Sequence, residues 1–134
     1  MWRGETVDEP LLSLRQASMG PIGIARPPLV VGGAGQRTMA VAARWADGWN
    51  VTGPATPAEY EPIRERMRRI CEQVGWSRPL SCSIQLFARD LALSDLRGLI
   101  RDFETAGATE ILFALDRGTT PEDIYRLADA AGTA

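Results

Sequence analysis

Short apolar segments alternate four times with longer amphipathic segments between Pro27 and the end of the chain. The apolar segments have the length of strands, and the amphipathic segments repeat their apolar residues at helical spacing. The predicted strands are Leu29–Val31, Trp49–Val51, Ser81–Ala88 and Glu110–Leu115, and the predicted helices begin at Gln36, after Thr56, after Ser94 and after Thr120. This alternation indicates an α/β fold in which right-handed crossovers join parallel strands.

Local signals mark the ends of the predicted helices. Thr56-Pro57-Ala58-Glu59 is a capping box with proline at the first helical position, and Thr120-Pro121 repeats this start. Ser94 is expected to cap the third helix, and Gly75 and Gly107 suit the left-handed position that closes a helix. The inward residues expected on the last helix are Ile124, Leu127, Ala128 and Ala131.

The same pattern allows two architectures. Four βα units form either a small, open, doubly wound sheet of the flavodoxin type or half of an eight-stranded β/α barrel, which needs about 250 residues when complete. The run Leu29–Val31 is continuously apolar, which is typical of a strand buried on both faces. Because the chain has 134 residues, we expect a single domain, with an irregular segment over 1–26 and four βα units over 27–134. A short helical turn is expected within Leu11–Arg15.

Composition excludes several classes of function. The chain has no histidine, which argues against a zinc site and against Ser-His-Asp or Cys-His catalysis, so no metal site is predicted. A net charge of −2 without basic blocks argues against a nucleic-acid partner. No apolar run is long enough to span a bilayer, and Cys71 and Cys82 have no CxxC spacing. We therefore expect a cytoplasmic protein without membrane contact.

The stretch PPLVVGGAGQRT places Gly32, Gly33 and Gly35 between a predicted strand and a predicted helix. Such a loop lets backbone N–H groups converge on an anion, and Arg37 and Thr38 add a cation and a hydroxyl. The alternative interpretation is a tight turn that needs glycine for its backbone angles alone. The spacing fits neither a Walker loop nor the dinucleotide fingerprint.

The longer stretch RPPLVVGGAGQRTMAVAARWADGWNV resembles a segment of the luciferase-like monooxygenase superfamily, in particular its branch that depends on the deazaflavin coenzyme F-420. MWRGETV resembles the end of a helix and the loop before this segment, and AGATEILFAL resembles the last barrel strand. The resemblance covers nearly the whole chain but about the C-terminal half of the family's fold. It implies a half barrel whose strands correspond to strands five to eight.

The resemblance also implies a cofactor site at the glycine loop. The family uses this loop to hold the phosphate of its cofactor, which is expected here to be coenzyme F-420, with FMN as the alternative. Asn50 lies in the second predicted strand, at the expected mouth of the barrel, and is expected to approach the cofactor, whereas Trp49 fits better as a packing residue. The predicted cofactor-binding residues are Gly32, Gly33, Ala34, Gly35, Gln36, Arg37, Thr38 and Asn50.

Other polar residues near the predicted strand ends have two interpretations. Ser83 and Gln85 would point into a barrel interior, although polar interior layers also occur for structural reasons. Asp116 and Arg117 follow the last strand, where charged surface loops are common. No catalytic residue is assigned.

A half barrel exposes two sheet edges and an inner face. The expected partners are therefore a second copy, giving a homodimer, or a complementary chain with the N-terminal half of the barrel. The function expected is that of a short luciferase-like oxidoreductase, which transfers hydride only when another chain completes its site. The alternative is a half-barrel binding or assembly module without catalysis.

Overall fold

The computed structural model describes residues 6–18, 25–76 and 78–132. Its main element is a parallel sheet of four strands, in which neighbours in the sheet are also neighbours in the chain. The strands are β3 (Val30–Gly32), β4 (Gly48–Thr52), β5 (Ser81–Phe87) and β6 (Glu110–Ala114), and the helices are α1 (Gln36–Trp45), α2 (Pro57–Gln73), α3 (Leu96–Thr105) and α4 (Pro121–Ala131). The predicted α/β fold with four parallel strands is confirmed, and the sheet is consistent with the open parallel sheet given above as the alternative architecture.

One face of this sheet forms the hydrophobic core with the helices. Trp49 pairs in register with Val31 and Cys82, and Trp49 and Cys82 are fully buried while Val31 is half-buried. The core side chains from the helices include Met39, Ala42, Ala43, Tyr60, Met67 and Phe103. The rings of Tyr60 and Phe103 meet edge to face, with centroids 5.9 Å apart, which fastens α2 to α3. The small residues of α1 let that helix approach the sheet closely.

The opposite face of the sheet is largely open. One row across it consists of Gly32, Asn50, Ser83 and Glu110, which are paired in register on adjacent strands. Ser83 is buried and Asn50 is half-buried, whereas the apolar side chains on this face, Val30, Phe87 and Leu112, are exposed. The face therefore mixes polar groups with uncovered apolar surface.

The predicted helix signals act as expected at most boundaries. At the start of α2 the Thr56 hydroxyl accepts from the Glu59 amide and the Glu59 carboxylate accepts from the Thr56 amide, each at 3.3 Å. Thr120 and Asp123 make the same reciprocal pair at the start of α4. Gly75 and Gly107 take φ values of +67° and +94°, which confirms that both are left-handed helix ends.

Three local expectations are wrong. Ser94 does not cap α3; the N-cap residue is Asp95, whose side chain makes no capping hydrogen bond within the described residues. The run Leu29–Val31 is not buried on both faces, because β3 is at the edge of the sheet and Leu29 and Val30 are exposed. Ile124 does not point inward, since no strand of the described chain lies beyond β6 to cover it.

The N-terminal segment contains more structure than expected. Strands β1 (Val7–Glu9) and β2 (Leu14–Ala17) form an antiparallel hairpin, and the predicted helical turn lies earlier, as a 3-10 turn over Pro10–Leu12. The Asp8 carboxylate accepts hydrogen bonds from the amide and the side chain of Gln16, at 2.8 and 3.0 Å, which closes the hairpin. Residues 1–5, where the sequence suggested the end of a helix, and 19–24 lie outside the described residues.

Within the described residues, none of the helices has the length and apolar character needed to cross a membrane.

Candidate functional site

The glycine loop spans three residues between the end of β3 at Gly32 and the start of α1 at Gln36. Gly33 has φ +122°, which side-chain-bearing residues rarely adopt, and a Cβ there would lie 3.4 Å from Thr38 Cγ2. The turn itself therefore requires glycine at position 33. Gly32 and Gly35 differ, because a Cβ on either would meet its nearest atom at 3.9 or 3.7 Å, which is ordinary contact. Turn geometry accounts for one of the three glycines.

Hydrogen bonds from the surrounding structure hold the backbone of this loop. The Gly33 amide donates to the Asn50 carbonyl at 2.9 Å, and the indole N–H of Trp49 donates to the Gly33 carbonyl at 2.8 Å. The guanidinium of Arg66, on α2, donates to the Ala34 carbonyl at 2.8 Å. The carbonyl oxygens of Gly33 and Ala34 therefore both accept hydrogen bonds from side chains of the protein. These hydrogen bonds fix the orientation of the backbone that leads into α1.

Among the residues that the structure describes, no side chain caps the amides at the start of α1. Gly35 is the N-cap residue and offers no side-chain oxygen to these amides. The N–H groups of Gln36, Arg37 and Thr38 belong to the first helical turn, where intrahelical acceptors do not exist. No acidic residue lies in this turn, and Arg37 is exposed. The helix dipole adds partial positive charge at the same place, so this end of α1 can accept an anion.

Asn50 lies beside the loop on the open face of the sheet. It pairs in register with Gly32, and its side-chain amide donates to Ser83 Oγ at 2.9 Å. Ser83 is 3% exposed and its hydroxyl reaches the Trp49 carbonyl at 3.5 Å. The structure therefore brings Asn50 next to Gly32. The side-chain NH₂ group of Asn50, however, already donates a hydrogen bond to Ser83.

The other candidate residues from the sequence, Trp49, Gln85 and Asp116, lie away from the glycine loop or on the other face of the sheet. Trp49 is fully buried on the core face, so it packs and cannot touch a ligand on the open face. Gln85 lies one row further along the open face, in register with Thr52 and Leu112. Asp116 lies in a surface loop and accepts a hydrogen bond of 3.0 Å from Arg89. Its negative charge is therefore paired within the protein.

A cleft of about 380 Å³ lies at the carboxyl ends of β5 and β6. Its walls are the loops after these strands and the first turns of α4, and its lining includes Arg89, Leu91, Leu115 and Arg126. A smaller cleft of about 110 Å³ lies between the loops after β4 and β5, with Gln85 and Phe87 in its lining. Residues of the glycine loop line neither of these clefts.

Two arginine contacts that support the site were not predicted. Arg66 reaches Ala34 across 32 positions, and Arg26 pairs with Asp47 through two contacts of 2.6 and 2.8 Å. Asp47 also accepts from the Leu29 amide at 2.8 Å, and these hydrogen bonds, that from Arg26 first, lower its pKa to about 2. The pair ties the start of β3 to the turn before β4. Each contact joins distant positions, so local sequence patterns carry no signal for it.

The two thiols are poor candidates for chemistry. Cys82 is fully buried on the core face of β5, and burial raises its pKa. Burial also raises the pKa of Cys71, on α2. Both side chains therefore stay as neutral thiols at neutral pH, which are weak nucleophiles.

No protein-family model matches this chain, and no curated protein matches it.

Proposed function

We propose that this chain is one half of an eight-stranded β/α barrel and that its glycine loop binds the phosphate of a deazaflavin or flavin cofactor. The cofactor class comes from the sequence resemblance to luciferase-like oxidoreductases, with coenzyme F-420 first and FMN as the alternative.

The order of the strands supports the half barrel. In doubly wound sheets the strand order reverses at a switch point, and helices then cover both faces. Here the order is consecutive, and the core side chains of α1, α2 and α3 meet the same face of the sheet. The other face carries the Asn50–Ser83 pair among exposed apolar residues, as expected of a barrel interior that lacks its opposite wall.

The cofactor proposal depends mainly on the difference between the carbonyl groups of the loop and the amide groups at the start of α1. The loop carbonyls at Gly33 and Ala34 accept hydrogen bonds from Trp49 and Arg66, whereas no side chain among the described residues caps the first-turn amides of α1. Gly32 and Gly35 lack side chains that the fold would tolerate. Removing these side chains opens the backbone to close approach, which a turn does not need and a phosphate does.

The residues divide into two roles in this proposal. The amides of Gln36, Arg37 and Thr38, the guanidinium of Arg37 and the hydroxyl of Thr38 would hold the phosphate. Asn50, beside Gly32 on the open face, would lie next to the remainder of the cofactor. A bound deazaflavin or flavin supplies a ring that takes up or releases hydride. We assign no catalytic residue, and hydride transfer requires the second half of the barrel, contributed by another copy or by a complementary chain.

A co-elution experiment tests the proposal. The purified protein is mixed separately with coenzyme F-420 and with FMN and passed through a size-exclusion column, and absorbance of the cofactor is followed in the protein peak. Retention of either cofactor at micromolar concentration is the expected result. Retention of neither would favour the alternative function, a binding or assembly module without catalysis, for which the exposed apolar residues of the open face argue.

A further inference from the structure

The two outermost helices carry exposed apolar side chains. On α1, Val41 is 50% exposed and Trp45 is 66% exposed. On α4, Ile124 is 44% exposed and Tyr125 is 71% exposed. Large apolar side chains grouped in this way on both flanks of a domain mark interaction surfaces more often than isolated exposed residues do.

The two outermost strands are unpaired on their outer sides. Within the described residues, β3 pairs with β4 alone and β6 pairs with β5 alone. Each of these edge strands also exposes an apolar side chain, Val30 on β3 and Leu112 on β6. Unpaired edges of this kind accept further strands. Since all four strands are parallel, β6 of one copy can pair with β3 of another in the direction that continues the sheet.

Pairing of these edges also brings the outer helices together. Every helix starts at the carboxyl edge of the sheet and returns along it, so α1 and α4 run in the same direction. When β6 meets β3 of a second copy, α4 lies beside α1 of that copy with the helix starts level. Tyr125 in the second turn of α4 and Trp45 at the end of α1 then border the same seam.

Charge favours this arrangement over others. Helix α1 carries Arg37 and Arg44 and no acidic residue, whereas α4 carries Glu122, Asp123 and Asp129 with a single arginine. Pairing α1 with α1 would oppose like charges, and pairing α1 with α4 opposes unlike ones. Two copies joined in this way form two identical seams, and the ring closes with eight strands.

We infer that the occupant of the open face and edges is a second copy of this chain, which docks through two α1–α4 seams and closes an eight-stranded barrel. The inference rests on the half-barrel part of the proposed function and is independent of cofactor binding. Each copy then supplies one glycine loop to the same end of the closed barrel, and Trp45 packs against the seam that contains Tyr125 of the other copy.

Sedimentation equilibrium of the whole chain tests this inference by measuring the dimer dissociation constant of variants that carry opposite charges on the two sides of each seam. The wild-type protein is expected to have twice the mass of the chain. Val41→Glu and Tyr125→Arg should each raise the dimer dissociation constant roughly tenfold or more, because each places an unpaired charge in the apolar seam. Both residues lie in the second turn of their helices, so the double variant places Glu level with Arg at each seam and should recover most of the affinity. Arg69→Glu, at an exposed site on α2, is the matched control and should have no effect.

Two results would overturn the inference. One is a wild-type chain that is monomeric throughout the concentration range, and the other is a dimer that neither single variant weakens. Both altered side chains are at least half exposed, and circular dichroism verifies that the variants fold. Adding FMN or coenzyme F-420 to the same samples separates the two proposals. A monomer that binds cofactor contradicts this inference alone, and a dimer that binds neither cofactor contradicts the cofactor proposal alone.

Discussion

The indole N–H of Trp49 donates a hydrogen bond of 2.8 Å to the carbonyl oxygen of Gly33, 16 residues earlier in the chain. Trp49 is fully buried in the core, while Gly33 belongs to the loop that precedes α1. The bond therefore couples the packing of the sheet to the orientation of the loop backbone. This coupling allows the core of the protein to hold the candidate binding site in place.

Replacing Trp49 with Phe tests this coupling. The aromatic bulk largely remains, but the Gly33 carbonyl loses its donor, which should cost about 1–3 kcal/mol of unfolding free energy in urea titrations. Trp76→Phe is the matched control, since within the described residues the buried indole N–H of Trp76 has no acceptor. Its replacement should cost less than that of Trp49. Equal losses in the two variants would argue that the Gly33 bond contributes nothing.

Alanine substitutions separate the glycines of the loop. Gly33→Ala forces a side chain into a backbone conformation with φ +122° and should destabilise the protein by about 1–3 kcal/mol. Gly32→Ala should change stability by about 0.5 kcal/mol or less, because the new Cβ meets its nearest atom at 3.9 Å. Chemical denaturation measures both. Similar losses at the two positions would contradict the distinction between a turn glycine and a glycine that the turn does not require.

Gly35→Asp separates binding from folding. Its backbone, with φ −72° and ψ 143°, suits an N-cap residue, so the carboxylate can accept from the first-turn amides of α1. Stability should rise by a few tenths of a kcal/mol to about 1 kcal/mol. Affinity for the phosphate-bearing cofactor should fall tenfold or more, because the carboxylate occupies the same donors and repels the phosphate. Ser94→Asp adds the same charge just before α3 and should leave this affinity unchanged.

The Arg26–Asp47 pair predicts a pH dependence. Its hydrogen bonds to Asp47 lower the pKa of that carboxyl from 3.8 to about 2 in the folded state. The stabilisation is therefore complete above about pH 4 and is lost as the pH falls through 2. Glu65, whose pKa is also about 2 through Arg68, contributes in the same range. The difference between wild type and Asp47→Asn should accordingly shrink as the pH falls from 4 to 2 in thermal unfolding, whereas a difference that does not change with pH would contradict this role.

The sequence predicts the parts of the fold that local signals encode. Thr56 and Glu59 lie three positions apart, as do Thr120 and Asp123, and their capping boxes form from the local chain alone. Glycine at position 33 was expected in a turn, and the structure requires it there. The order of strands and helices along the chain follows from such signals.

Features that depend on contacts between distant positions were not predicted, and neither was the exposure of Leu29 and Val30. The β1–β2 hairpin closes through Asp8 and Gln16, whose residue types do not by themselves indicate a strand pair. The apolar run at Val30 suggests burial, but burial depends on a strand beyond β3 that the described chain does not supply. The Arg66 contact with the loop spans 32 positions and is visible only in the folded protein.

Comparing FMN with riboflavin tests whether the glycine loop recognises a phosphate. The two differ in the phosphate alone, so their dissociation constants, measured by fluorescence quenching, report the contribution of the loop. We expect FMN to bind roughly ten- to a hundredfold more tightly than riboflavin, as two or more charge-assisted hydrogen bonds would give, and Gly35→Asp to abolish the difference. Equal affinities for FMN and riboflavin, or a preference for FMN that survives in Gly35→Asp, would contradict phosphate recognition by the loop.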